Sequence, residues 1–152
     1  MQGRDWKNDP EAVKKKDFYE AAIVTANSVI HYAARYAELA ARMAAKEADP
    51  VRKKELEEIA EMCTHVPAKP ARTFKEALQF IIITHICLHI EDNGVGISFG
   101  RFDQFMYPFY EKDIAEGRLE REQAVEMVEN FFLQIYTSNK VRSWQDTDYF
   151  RG

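Results

Sequence analysis

Cysteine is scarce in this 152-residue chain, and the two thiols, Cys63 and Cys87, form neither a CxxC nor a ladder of spacings. That excludes a disulfide framework or a cysteine-rich metal module and fits a reducing compartment. Only six glycines and five prolines are present, so collagen-like and low-complexity architectures are excluded too. No apolar run reaches the roughly 18–20 residues that a membrane span needs, and the stretch Met1 to Trp6 lacks the apolar core of a signal peptide. An excess of basic charge is also missing. The 21 Lys and Arg are interleaved with 25 Asp and Glu for a net charge of −4, leaving neither a nucleic-acid footprint nor an acidic tail. The chain reads as cytoplasmic, with no membrane or nucleic-acid partner.

What is present is helical periodicity. One domain is the default at this length, and no internal repeat divides it. Asp9-Pro10-Glu11 offers an N-cap, a proline at the first helical position and an acid in the first turn; a start nearer Asp17 is the alternative. From Phe18, residues Ala22, Ala26, Val29, Ile30, Ala33, Ala37, Ala40 and Ala44 recur at helical spacing, predicting a long packed helix to about Glu47. Asp49-Pro50 repeats the cap, and Leu56, Ile59, Ala60 and Cys63 mark a shorter amphipathic helix. Val66 to Arg72, with prolines at 67 and 70, makes an extended connector.

Thr73 to Glu76 spells a capping box, in which the Thr73 hydroxyl serves the Glu76 amide and the Glu76 carboxylate reaches back. The helix it opens runs to about Glu91, and its segment Leu78 to Ile90 is apolar almost all round, which predicts a helix buried on every side. A strand is the minority reading of its β-branched run Ile81-Ile82-Ile83-Thr84. A further helix is expected from Phe102 to Ala115, with Pro108 at a start or kink and Gly117 ending it. Leu119 to Gln123 opens the last helix, whose apolar contacts come from Ala124, Met127, Val128, Phe131, Leu133, Ile135 and Tyr136. Trp144, Tyr149 and Phe150 then crowd a terminus that is ordinarily polar, the pattern expected of a cut chain.

Periodicity fails at residues 93–101. Gly94, Gly96 and Gly100 interrupt an apolar run, and glycine there admits positive φ or close approach to a ligand. Arg101 and Asp103 follow, then Phe102, Phe105, Tyr107, Phe109 and Tyr110, an aromatic density that predicts burial. An ion pair or clamp from Arg101 and Asp103, pinning the loop, is the favoured use of those charges over direct substrate binding.

Other chemical candidates are weaker. His85 and His89 lie four apart on a helix, the spacing that presents two imidazoles to one metal, but Glu91 and Asp92 do not share their face. Core histidines with hydrogen-bond partners are expected instead; a metal-binding bundle is the lesser alternative. Cys63 and Cys87 have no neighbourhood that would lower a thiol pKa and are expected to be structural. Gly94-Val95-Gly96 is half of a dinucleotide fingerprint, yet it follows a helix rather than a strand.

The same loop resembles a signature of the glycyl radical enzymes, the pyruvate formate-lyase superfamily. Glu91, Asn93, Gly94, Ser98, Gly100, Arg101, Phe102, Asp103, Gln104, Tyr107, Pro108 and Tyr110 match the family pattern, with Phe105 where tyrosine is usual. The likeness continues through Val66-Pro67-Ala68, Pro70 to Phe74, Glu76 to Gln79, Glu116 to Leu119 and Asn139 to Arg142. The resemblance implies a ten-stranded α/β barrel in the full enzyme, of which this chain is a mainly α, N-terminal-half segment spanning residues 1–152. It also implies an anaerobic lyase of the formate acetyltransferase type. A glycyl radical, installed by an activating enzyme using S-adenosylmethionine and an iron–sulfur cluster, passes to a cysteine that attacks the substrate. Family members cleave C–C, C–O, C–N or C–S bonds.

Neither the cysteine loop nor the radical glycine loop of that family occurs here, so no catalytic residue and no cofactor are assigned to this chain, which is expected to be inactive alone. The implied partners are the remainder of the enzyme and the activating enzyme; exposed apolar surface offers homo-oligomerisation. Val95 and Gly96 stand where polyol dehydratases carry His and Ser, which implies a different or less polar substrate. With Ile97 they are the residues expected to face it. Asn93, Gly94, Gly100, Arg101 and Asp103 are expected to shape the loop. The rival expectation is a stand-alone α-helical scaffold or interaction module without catalysis.

Overall fold

The computed structural model describes residues 10–91 and 97–138. All regular structure among them is helical: α1 (Ala12–Ala44), α2 (Pro50–His65), α3 (Phe74–Glu91), α4 (Phe102–Ala115) and α5 (Arg121–Thr137). The β-branched run therefore lies in a helix, where its length and cap place it. The chain falls into two compact units, Met1–Thr64 and His65–Gly152.

In the first unit, the second half of α1 buries Ala33, Ala37, Ala40 and Ala44, the four-three-four spacing of one helical face. The expected packing does not reach residues 18–28. Phe18, Ile23 and Val24 are exposed there, Phe18 by 68%, because the small-residue stripe alone does not decide how far a neighbour reaches. Helix α2 starts as Asp49 predicts: its carboxylate accepts hydrogen bonds from the amides of Val51 at 3.2 Å and Arg52 at 3.3 Å. It buries Leu56, Met62 and Cys63.

In the second unit, α3 packs against both α4 and α5 around Phe74, Ala77, Leu78, Met106, Leu119, Ala124 and Phe131. Pro108 sits inside α4 rather than at its start. Gly117, at φ +68°, turns the chain out of that helix, and its amide bonds the Ile114 carbonyl at 3.1 Å. Helix α5 opens with a capping box in which the Glu120 amide donates to the Gln123 side chain at 3.0 Å. The expectation of all-round burial from Leu78 to Ile90 holds as far as Cys87, every residue of that stretch being buried or half-buried, and fails at Leu88 and Ile90, which are exposed. Leu133 and Tyr136 of α5 are exposed as well.

Candidate functional site

The end of the glycine-rich segment is built from short-range contacts. Gly100 has φ +63°, a conformation costly to any residue with a Cβ. Its amide donates to the Ser98 hydroxyl at 3.2 Å, and its carbonyl accepts from Phe102 at 3.0 Å. The Arg101 carbonyl then accepts from the Gln104 and Phe105 amides, which starts α4. The Arg101 guanidinium donates to Gln104 Oε1 at 3.3 Å. Among the described residues no ion pair joins it to Asp103, which instead occupies the first turn of α4, where the helix dipole favours an anion.

Phe99 anchors this turn to the core. Its ring lies 4.8 Å from His85 of α3 and 5.3 Å from Phe131 of α5, while Phe102 stacks on Phe131 at 5.0 Å. Offset and edge contacts at these distances are the favourable aromatic geometries, so one loop side chain ties the segment to two helices. His85 is 4% exposed and its ring is 4.1 Å from that of His89. Neither ring nitrogen of His85 has a hydrogen-bond partner among the described residues, unlike the bonded core histidine expected. Burial, followed by the neighbouring His89, pushes its pKa below 6.5 and keeps the imidazole neutral.

Two buried carboxylates frame the start of α3. Asp113 of α4 bonds the Phe74 amide through one oxygen and Arg118 through the other. Arg118 also pairs with Glu116. Glu76 accepts from the Arg72 amide at 2.6 Å and from the Arg72 guanidinium, and the Thr73 hydroxyl takes the Glu76 amide at 3.2 Å. Thr73 thus caps as expected, but the returning carboxylate reaches Arg72. Burial alone would raise the Glu76 pKa; the hydrogen bonds and charge of Arg72, with a smaller contribution from His65, outweigh it and leave the carboxyl below its ordinary value of 4.5. His65 itself bonds the Pro70 carbonyl through Nε2 at 2.9 Å.

Beside these residues, α4 and α5 border a mostly apolar groove of about 420 Å³ lined by Phe74, Met106, Tyr107, Tyr110 and Val128, with the exposed charges of Asp103, Arg121 and Glu129. Phe105 and Tyr107, expected to be buried, are exposed, Tyr107 by 55%.

Of the residues expected at the site, Asn93, Gly94, Val95 and Gly96 lie outside the described residues; Ile97 is half-buried, and Gly100, Arg101 and Asp103 stand together at the head of α4. Cys63 and Cys87 are free thiols, and burial pushes both pKa values up, away from the thiolate that a nucleophile needs. No group of three or more His, Cys, Asp or Glu that could hold a metal occurs among the described residues. None of their helices is long and apolar enough to cross a membrane. The roles of Asp113 and Phe99 went unread in the sequence. Both depend on contacts between helices and leave no short-range pattern. What the described geometry supplies is a wall of three packed helices with a positive-φ turn at its edge.

Comparison with known proteins bears on what that wall belongs to. The family model described as pyruvate formate lyase-like matches residues 1–152. The isethionate sulfite-lyase of Nitratidesulfovibrio vulgaris is 49% identical over 118 residues, covering 77% of this chain and 14% of that protein. The (2S)-3-sulfopropanediol dehydratase of Klebsiella oxytoca is 38% identical over 136 residues, 90% of this chain and 16% of its own length. Among solved structures, the glycerol-bound form of the B12-independent glycerol dehydratase from Clostridium butyricum superposes with a TM-score of 0.87 at 36% identity, over 96% of this chain and 18% of that one. A structure concerned with 1,2-propanediol dehydration in Roseburia inulinivorans gives 0.84 at 43% identity, over 90% and 17%. The chain therefore spans about a sixth of the length of these relatives.

Proposed function

The chain belongs to the pyruvate formate lyase-like family of glycyl radical enzymes, and from that premise we propose that it is a helical wall segment of a cytoplasmic glycyl radical lyase, inactive by itself. The observation carrying this reading is the match of the family model to residues 1–152, together with the alignment of 77–96% of the chain to about a sixth of much longer lyases and dehydratases. The bond broken by the complete enzyme is then C–S or C–O, as the names of the sulfite-lyase and dehydratase relatives suggest.

Within that enzyme the segment holds one edge of the substrate cavity. Val95, Gly96 and Ile97 face the substrate, and Asn93, Gly94, Gly100, Arg101 and Asp103 give the loop its shape. Support comes from the positive φ of Gly100 and from Phe99, which is clamped between α3 and α5 at the downstream end of the loop. A loop fixed at its exit places neighbouring backbone reproducibly, as substrate positioning requires. A glycyl radical on the remainder of the polypeptide, installed by an activating enzyme with S-adenosylmethionine and an iron–sulfur cluster, supplies the hydrogen-abstracting power.

The experiment is anaerobic treatment of the purified chain with an activating enzyme, followed by electron paramagnetic resonance and product analysis on isethionate and glycerol. Neither a radical signal nor product is expected. Turnover by the chain alone would overturn the proposal. A second reading, a helical interaction module without catalysis, draws on the self-contained core shared by α3, α4 and α5. A monodisperse, cooperatively unfolding chain that binds no hydrophobic dye would favour it.

A further inference from the structure

We propose that His85 is a proton-operated latch on the turn at residues 98–101: neutral, its ring holds Phe99 in place, and protonated, it lets Phe99 go while α3, α4 and α5 stay packed. The latch stands on the geometry of this chain. Its consequence in the lyase proposed above, a substrate loop loosened by acid at its exit, rests on that reading.

The buried His85 ring is flanked by two others, that of His89 at 4.1 Å on its own helix and that of Phe99 at 4.8 Å on the turn. Neither of its nitrogens has a hydrogen-bond partner among the described residues. Such surroundings suit a neutral imidazole, whereas an imidazolium carries two N–H donors and a charge that need acceptors or water. Among the described residues, no anion is placed to meet that charge. On α3 the titratable groups that follow His85 toward the turn include His89 and the exposed Glu91. At the head of α4, Arg101 and Asp103 are exposed, and so are Glu126 and Glu129 beside Phe131 on α5. Of these groups, the one whose charge bears on His85 is His89, which acts with burial to keep the imidazole neutral at pH 7. The tilted face of Phe99 attracts a cation, but it does not replace the water lost at two buried donors.

Relief is cheapest at Phe99. His89 sits within the continuous helix α3, whereas Phe99 belongs to a turn held by short-range hydrogen bonds, Gly100 to the Ser98 hydroxyl at 3.2 Å and Phe102 to the Gly100 carbonyl at 3.0 Å. Phe99 is half-buried between the exposed Ser98 and Gly100, so its outward movement admits water to His85. Parting the helices would instead break the core around Leu78, Met106, Ala124 and Phe131, where Phe102 stacks on Phe131 at 5.0 Å. A segment with few buried contacts opens before such a core does.

The test is nuclear magnetic resonance of the full 152-residue chain, titrated from about pH 7.5 to about pH 5, with the His85 ring proton on Cε1 reporting its charge. The cross-peaks of the Phe99 ring with His85 and with Phe131 should vanish at the His85 midpoint, while the Phe102 to Phe131 cross-peak and the helical circular dichroism persist. His85→Gln should keep the Phe99 to Phe131 cross-peak throughout this range; if that variant does not fold, His85→Leu reads the same independence of pH. His89→Gln should raise the pH at which Phe99 is released, because a like charge beside His85 is removed. The proposal is overturned by a protonated His85 with Phe99 still in place, or by release of Phe99 that survives both His85 variants. It is overturned equally if His85 stays neutral until helicity is lost, if the Phe102 to Phe131 cross-peak disappears together with those of Phe99, or if the Phe99 cross-peaks are missing at pH 7.5. No readout here involves turnover, so a failed latch leaves the lyase reading standing, and turnover by the chain alone would defeat that reading without touching the latch.

Discussion

The backbone amide of Phe74, first residue of α3, donates a 2.8 Å hydrogen bond to Asp113 Oδ2 from α4, 39 positions along the chain. The other oxygen of the same carboxylate takes Arg118 at 2.6 and 3.1 Å, and the Asp113 carbonyl accepts the Arg118 amide at 2.9 Å. A single buried acid thereby caps one helix while it closes the turn after another.

Replacing Asp113 removes both functions at once. Asp113→Ala leaves the Phe74 amide without that acceptor and Arg118 without its buried partner, which should cost about 3 kcal/mol. Arg118→Ala should cost about 1 kcal/mol, because the arginine is partly exposed and solvent screens its charge. Urea unfolding followed by circular dichroism measures both; equal losses would show that the cap contributes nothing beyond the ion pair.

Glu76 carries an acid-dependent share of stability. Its carboxyl is held below 4.5 in the folded chain, so the unfolded chain binds a proton first as pH falls. The contribution is fully present above the ordinary value and is lost as pH drops from about 4.5 through the depressed folded value. Melting temperatures between pH 6 and pH 3 should fall less steeply for Glu76→Gln than for the parent; parallel curves would show that Arg72 does not hold this carboxylate.

His85 should act in a separate window. Its folded pKa lies below 6.5, so the unfolded chain again binds the proton more readily, and stability declines as pH falls from about 6.5 toward that lower value. His85→Leu should remove this decline. It should also stabilise the chain by about 1 kcal/mol at pH 7.5, because two buried nitrogens without partners among the described residues are replaced by a methyl-bearing side chain of similar volume. Thermal unfolding at pH 7.5 and pH 5.5 checks both parts.

At Gly100 the cost of a side chain is conformational. A Cβ there would meet nothing within 4 Å, yet the backbone is at φ +63°. Gly100→Ala should therefore destabilise by about 1 kcal/mol without creating a clash. Gly100→Asn should cost less, since asparagine tolerates the left-handed region. A loss well above the alanine estimate, measured by urea unfolding, would point to a rearranged loop.

Local signals proved readable because they act over a single turn. The Asp49 cap, the Thr73 hydroxyl on the Glu76 amide and the helix-ending Gly117 each involve residues within four positions of one another. The family motif at Gly100, Arg101 and Asp103 was legible for the same reason, as a contiguous string. Aromatic density misled at Phe105 and Tyr107, both exposed, because composition states that a side chain prefers cover without stating what provides it.

The succession of five helices and the superfamily were thus determined by sequence alone, through periodicity, caps and an ordered motif. Tertiary structure decided which charges matter: Arg101 turned to Gln104 with no ion pair to Asp103 among the described residues, and Asp113 became the helix cap. It also placed Phe99 against His85 and Phe131. Helical periodicity specifies the face on which a side chain lies, whereas its partner depends on how α3, α4 and α5 cross, and that is set by the packing of all three together.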